Sequence, residues 1–86
     1  MTAEEYSKHI KEEIEGAKEY AKSYISYKAK SCNQMANRYK EMSLDELKHA
    51  KYLYEEAMDH LELADSKSIT DAYVESASIV AYMLKL

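Results

Sequence analysis

Proline, tryptophan and phenylalanine are absent from this 86-residue sequence, and glycine occurs once, at Gly16. Folds that contain strands and tight turns depend on Pro and Gly to end their elements, so this scarcity argues against them. Ala, Glu, Lys, Leu, Met and Tyr fill the chain instead, and most of these residues favour helix. We therefore expect an all-α fold, and the length suits one domain over 1–86.

Other features that the sequence lacks limit its partners. Cys32 is the only cysteine, so no internal disulfide can form. A net charge of -4, with no basic block, disfavours nucleic acid as a partner. No apolar run approaches the roughly 18 residues of a membrane span, and the first residues lack the apolar core of a signal peptide. We expect a cytoplasmic protein without membrane association.

Three segments show the apolar periodicity of helices. Capping-box patterns at Thr2, Ser31 and Ser68 mark their starts. The predicted helices cover about 3–29, 32–64 and 69–85. The short link between the first two predicts a long antiparallel hairpin, to which the shorter third helix is added.

A restart of helix 2 at Ser43 is an alternative, because Ser43 and Glu46 also match the capping-box spacing. In that case Glu46 only reaches back to a backbone N–H. A stripe of small residues at seven-residue intervals favours one continuous helix instead. The stripe consists of Ala36, Ser43, Ala50, Ala57 and Ala64.

Three residues with metal-ligand chemistry lie on the apolar faces of this hairpin. At about 100° per residue, Glu13 falls inside the apolar arc of helix 1, Glu46 inside that of helix 2, and His49 at its edge. Glu13 precedes residue 31 by 18 positions, and Glu46 and His49 follow it by 15 and 18, so the hairpin places them at similar heights. An unpaired carboxylate on an apolar face is costly. A metal ion would satisfy all three groups, and this donor set suits iron, manganese or zinc.

Glu13 with Tyr20, followed by Glu46-Leu-Lys-His49, resembles the first half of a ferritin-like protein of the rubrerythrin and bacterioferritin type. Residues 5–60 are also similar to small rubrerythrin-like proteins of bacteria and phages. The resemblance implies a four-helix bundle with a di-iron carboxylate site that oxidises ferrous iron, with Glu13, Glu46 and His49 as ligands. Tyr20 would hydrogen-bond a ligand carboxylate or a bound oxygen species, although core packing explains a Tyr at this position equally well.

The resemblance further implies a homodimer or a higher homo-oligomer. A complete two-metal site of this type takes four carboxylates and two His, whereas helix 3 has a single Glu, Glu75, and no His. Two copies about a two-fold axis would supply the full set in an intermolecular four-helix bundle. Short encapsulated-ferritin-type proteins build their site across such a dimer, which also suggests a partner protein or a protein shell.

Two further questions stay open at the level of sequence. A core Glu that accepts hydrogen bonds from Tyr or His needs no metal. The chain would then be a metal-free helical structural or interaction module of prophage origin. His60 and Glu56 continue the inner face of helix 2. They form either an ion entry route, a weak second ion site, or a solvated or hydrogen-bonded pair near the open end of the hairpin.

Overall fold

The computed structural model describes residues 1–86 and contains three helices and no strand, which confirms the all-α prediction. The helices are α1 (Ala3–Ala29), α2 (Asn33–His60) and α3 (Leu63–Met83). α1 begins at the capping box, where the Thr2 hydroxyl accepts from the Glu5 backbone N–H at 3.2 Å. The Glu5 carboxylate in turn accepts from the Thr2 backbone N–H at 3.0 Å. None of the helices has an apolar stretch long enough to cross a membrane.

The turn between α1 and α2 differs from the predicted Ser31 cap. Ser31 has a φ of 60°, the left-handed conformation that reverses the chain. The Cys32 backbone N–H then donates to the Tyr27 carbonyl at 2.9 Å. Because Ser31 forms the turn itself, the N-cap residue of α2 is Cys32. The Cys32 side chain makes no capping hydrogen bond.

The boundary between α2 and α3 also differs from the predicted one. Helix 2 was expected to continue to about 64, but α2 ends at His60, and Leu61 and Glu62 are extended, with ψ of 153° and 158°. α3 starts at Leu63 instead of about 69. The expected Ser68 cap therefore lies inside α3. Apolar spacing continues through the break, so periodicity does not reveal it.

α1 and α2 pack closely through small side chains. Ala36, Ser43, Ala50 and Ala57 are buried along α2, and Ala17 and Ala21 are fully buried on α1. The Ser43 hydroxyl donates to the Ala17 carbonyl of α1 at 2.7 Å. The alternative of a helix restart at Ser43 is wrong, because α2 is continuous there and the hydroxyl bonds across the interface.

α3 covers one side of this hairpin. It borders Ile10 and Ile14 of α1, and Leu44 and Leu47 of α2. Tyr73 stacks on Tyr54 of α2 with ring centroids 4.4 Å apart. The opposite side of the hairpin has no covering helix.

We call this uncovered side the open face. It carries two methionines of α2 that are 37% and 40% exposed, together with partly buried tyrosines from both helices. By helical period its apolar residues include Tyr20, Tyr27, Met35, Tyr39 and Met42. At about 100° per residue, Met42 and Leu44 point about 160° apart around α2. Because Leu44 borders α3, Met42 lies on the side that α3 leaves uncovered.

Candidate metal centre

The open face brings the three predicted ligands together. Glu13 of α1 and Glu46 and His49 of α2 each offer a ligand atom, and these atoms lie within 4.8 Å of one another. The i, i+3 spacing on α2 places Glu46 and His49 one turn apart on the same side. The buried Ala17–Ser43 hydrogen bond lies about one turn from the cluster on both helices. It fixes the position of α1 relative to α2 along their axes.

The cluster lies at the edge of the helix interface rather than deep within it. The His49 Nδ1 atom is 3.6 Å from the Glu13 Oε2 atom. The Glu13 side chain is 31% exposed and the His49 side chain 56% exposed. Glu46 is partly buried. The sequence predicted inward-facing ligands, whereas the structure leaves the cluster accessible from the open face.

The neighbouring Glu13 carboxyl group changes the ionisation of Glu46. A hydrogen bond with the Glu13 carboxyl group, followed by burial and by the Glu13 charge, raises the pKa of Glu46 above its ordinary value. The nearby His49 acts in the opposite direction. Two neighbouring carboxylates favour sharing a proton, because both cannot ionise without repulsion. A cation between them would remove the same repulsion.

The distances within the cluster fit a metal ion. Carboxylate oxygen and imidazole nitrogen atoms bind transition metals at about 2.0–2.2 Å. Two ligand atoms on one ion are therefore at most about 4.4 Å apart by the same bond lengths. Because the three ligand atoms already lie within 4.8 Å, small side-chain rotations would bring them into range.

Gly16 is a residue of this site that the sequence interpretation missed. A Cβ atom built on Gly16 would lie 3.2 Å from the Glu46 Oε2 atom and 3.6 Å from its Cδ atom. The Glu46 carboxylate therefore rests against the bare backbone of α1, about one turn after Glu13. A signal was present in the sequence, because the only Gly of the chain stands in the middle of a helix, where Gly is unfavourable.

Tyr20 lies on the open face but packs with other aromatic rings. Its ring centroid is 6.1 Å from that of Tyr39, which stacks on Tyr27 at 5.4 Å. No hydrogen bond joins the Tyr20 hydroxyl to Glu13 or Glu46. The structure thus places Tyr20 in a tyrosine cluster, and its predicted role beside a ligand stays a prediction.

The second candidate pair, Glu56 and His60, is exposed at the other end of α2. No third ligand-type side chain joins these two residues. Glu56 instead lies beside the buried Tyr6 phenol. Burial first, and then the Glu56 charge and hydrogen bond, raise the pKa of Tyr6. The structure thus gathers no group of three ligands here, and an ion site at this pair stays a prediction.

Comparison with models of protein families, with curated proteins and with solved structures found no match for this chain.

Proposed function

We propose that the chain is a ferritin-like metal-binding protein whose Glu13, Glu46 and His49 form half of a di-iron carboxylate site. The observation that carries the proposal is the convergence of these side chains, from two helices, within 4.8 Å. Two carboxylates with one imidazole are a donor set that suits iron, and also manganese or zinc.

Each side chain has a distinct role in this proposal. Glu46 would be the ligand that two ions share, as the resemblance to ferritin-like proteins implies, and Glu13 and His49 would be the terminal ligands. The ligand atoms of the three side chains lie within 4.8 Å of one another. Each ligand atom must be deprotonated before an ion binds. We therefore expect the metal affinity to increase as the pH rises past the raised pKa of Glu46.

A second copy of the chain completes the site. One chain offers three protein ligands, and two copies about a two-fold axis offer four carboxylates and two imidazoles. The open face suits this contact because it carries the cluster together with exposed Met35 and Met42. An isologous contact through this face brings the two clusters toward the symmetry axis and buries the methionines.

Bound ferrous iron would supply electrons to dioxygen or peroxide. The chain would hold the ions through its carboxylates and imidazole. Ferrous-iron oxidation is the activity that we propose for the dimer.

Metal content tests the proposal directly. We expect protein purified from iron-supplemented cells to contain about one iron per chain by elemental analysis, and Glu46→Ala protein to contain none. Oxygen uptake after addition of ferrous iron to the metal-free protein would then report oxidation.

The matched control is Glu41→Ala, which removes an exposed carboxylate from the same helix. It should retain the metal of the wild type. Metal-free protein in all three preparations, with equal stability, would refute the proposal and favour the helical interaction module instead.

A further inference from the structure

We infer that Gly16 is a positioning residue that seats the Glu46 carboxylate for metal binding. The inference rests on the proposed function of the Glu13, Glu46 and His49 cluster. It assigns to the only glycine of the chain the task of keeping one wall of that site free of side-chain atoms.

The contact geometry carries the inference. A Cβ atom at Gly16 would approach the Glu46 Oε2, Cδ and Cγ atoms at 3.2, 3.6 and 3.8 Å. All three contacts involve the same side chain, and the nearest one is tighter than ordinary van der Waals packing. An added methyl group would therefore push the carboxylate outward by a few tenths of an ångström, away from α1 and from Glu13.

The backbone of α1 does not itself require glycine at this position. Gly16 lies within a continuous helix and has no positive φ. Glycine is less favourable than alanine in a helix interior, so the residue lowers the stability of α1 where it stands. The space for Glu46 is the feature that offsets this loss.

Metal ligation is sensitive to such a displacement. The carboxylate of Glu46 must face the Glu13 and His49 ligand atoms, which lie within 4.8 Å of it. Residues that orient metal ligands commonly change affinity by 10- to 100-fold when they are replaced. We therefore expect Gly16→Ala to weaken metal binding while it strengthens the helix.

The test titrates the metal-free full-length protein with Co²⁺ and follows the visible absorption of the bound ion. Gly16→Ala should lower the Co²⁺ affinity about tenfold. It should also change the absorption spectrum, because the ligand geometry changes. In the absence of metal, the same variant should raise the melting temperature by roughly 2–8 °C.

Two further variants separate positioning from general stability. Ser26→Ala, at an exposed position of α1, should raise the melting temperature without a change in Co²⁺ affinity. In a Glu46→Ala background, Gly16→Ala should raise the melting temperature by more than in the wild type, because its Cβ atom no longer meets the Glu46 side chain.

The possible outcomes are distinguishable. Equal Co²⁺ affinity in wild type and Gly16→Ala overturns the role of Gly16 and leaves the proposed function intact. A loss of affinity together with a lower melting temperature also overturns it, because the effect is then structural. A wild-type protein that binds no Co²⁺ overturns the proposed function and the inference with it.

Discussion

Among single residues, Glu46 makes the free energy of unfolding of the metal-free chain depend on pH. The hydrogen bond and the charge of Glu13, with partial burial, raise its pKa in the folded state. The folded chain therefore binds the Glu46 proton more tightly than the unfolded chain, in which the pKa of a Glu is about 4.3. The resulting stability is fully present below that value, and it is lost as pH rises through the folded pKa.

This sign predicts the behaviour of Glu46→Gln, which keeps the shape of the side chain and removes the charge. At neutral pH the metal-free variant should resist urea better than the wild type, since it avoids repulsion from Glu13. The difference should shrink toward zero near pH 4. Urea unfolding between pH 4 and pH 8, with Glu41→Gln as the control, measures it. An advantage of Glu46→Gln that is independent of pH would contradict the coupling to Glu13.

At the level of the helices, Ser43 determines how closely α1 and α2 approach. It is fully buried, and its hydroxyl donates to the Ala17 carbonyl at 2.7 Å. Ser43→Val would force a branched side chain into this contact and leave the hydrogen bond unmade. We expect a loss of about 1–3 kcal/mol in the free energy of unfolding, measured with urea.

Ser26→Val is the control for helix propensity, because Ser26 is exposed on α1. Its effect should stay within about 0.5 kcal/mol. Equal losses at the two positions would show that the Ser43 contact does not limit the approach of the helices. Because the cluster of Glu13, Glu46 and His49 depends on this approach, Ser43→Val should also weaken metal binding.

The helices also show what sequence can and cannot predict. The capping box at Thr2 locates the start of α1, because both of its hydrogen bonds are local. The end of α2 could not be located in the same way, since Leu61 continues the apolar spacing and no Pro or Gly stands near it. Packing of α3 on the hairpin decides that break, and packing is not a local property.

The site shows the same division. Helical period and the count from the turn were enough to bring Glu13, Glu46 and His49 to one height. They could not give the depth of the cluster, because exposure depends on the side of the hairpin that α3 covers. The contact of Gly16 with Glu46 could not be predicted for a related reason, since it depends on how closely α1 and α2 approach.

For the whole molecule, the open face predicts that metal binding and dimerisation are coupled. If two copies share the ions, metal must favour the dimer, and dimerisation must raise metal affinity by the same factor. We expect sedimentation velocity to show a larger dimer fraction after addition of Fe²⁺ without oxygen. Glu46→Ala should abolish this increase, because the metal then has too few ligands.

A charged side chain at the centre of the proposed contact separates dimerisation from ligation. Met42 is 40% exposed on the open face, while Val74 is 53% exposed on α3, which covers the other side of the hairpin. Met42→Arg should prevent the metal-dependent dimer, since a two-fold contact would bury two like charges close to each other. Val74→Arg should leave the dimer unchanged. A dimer that tolerates Met42→Arg but not Val74→Arg would place the contact on the α3 side of the hairpin, where a second copy cannot complete the site.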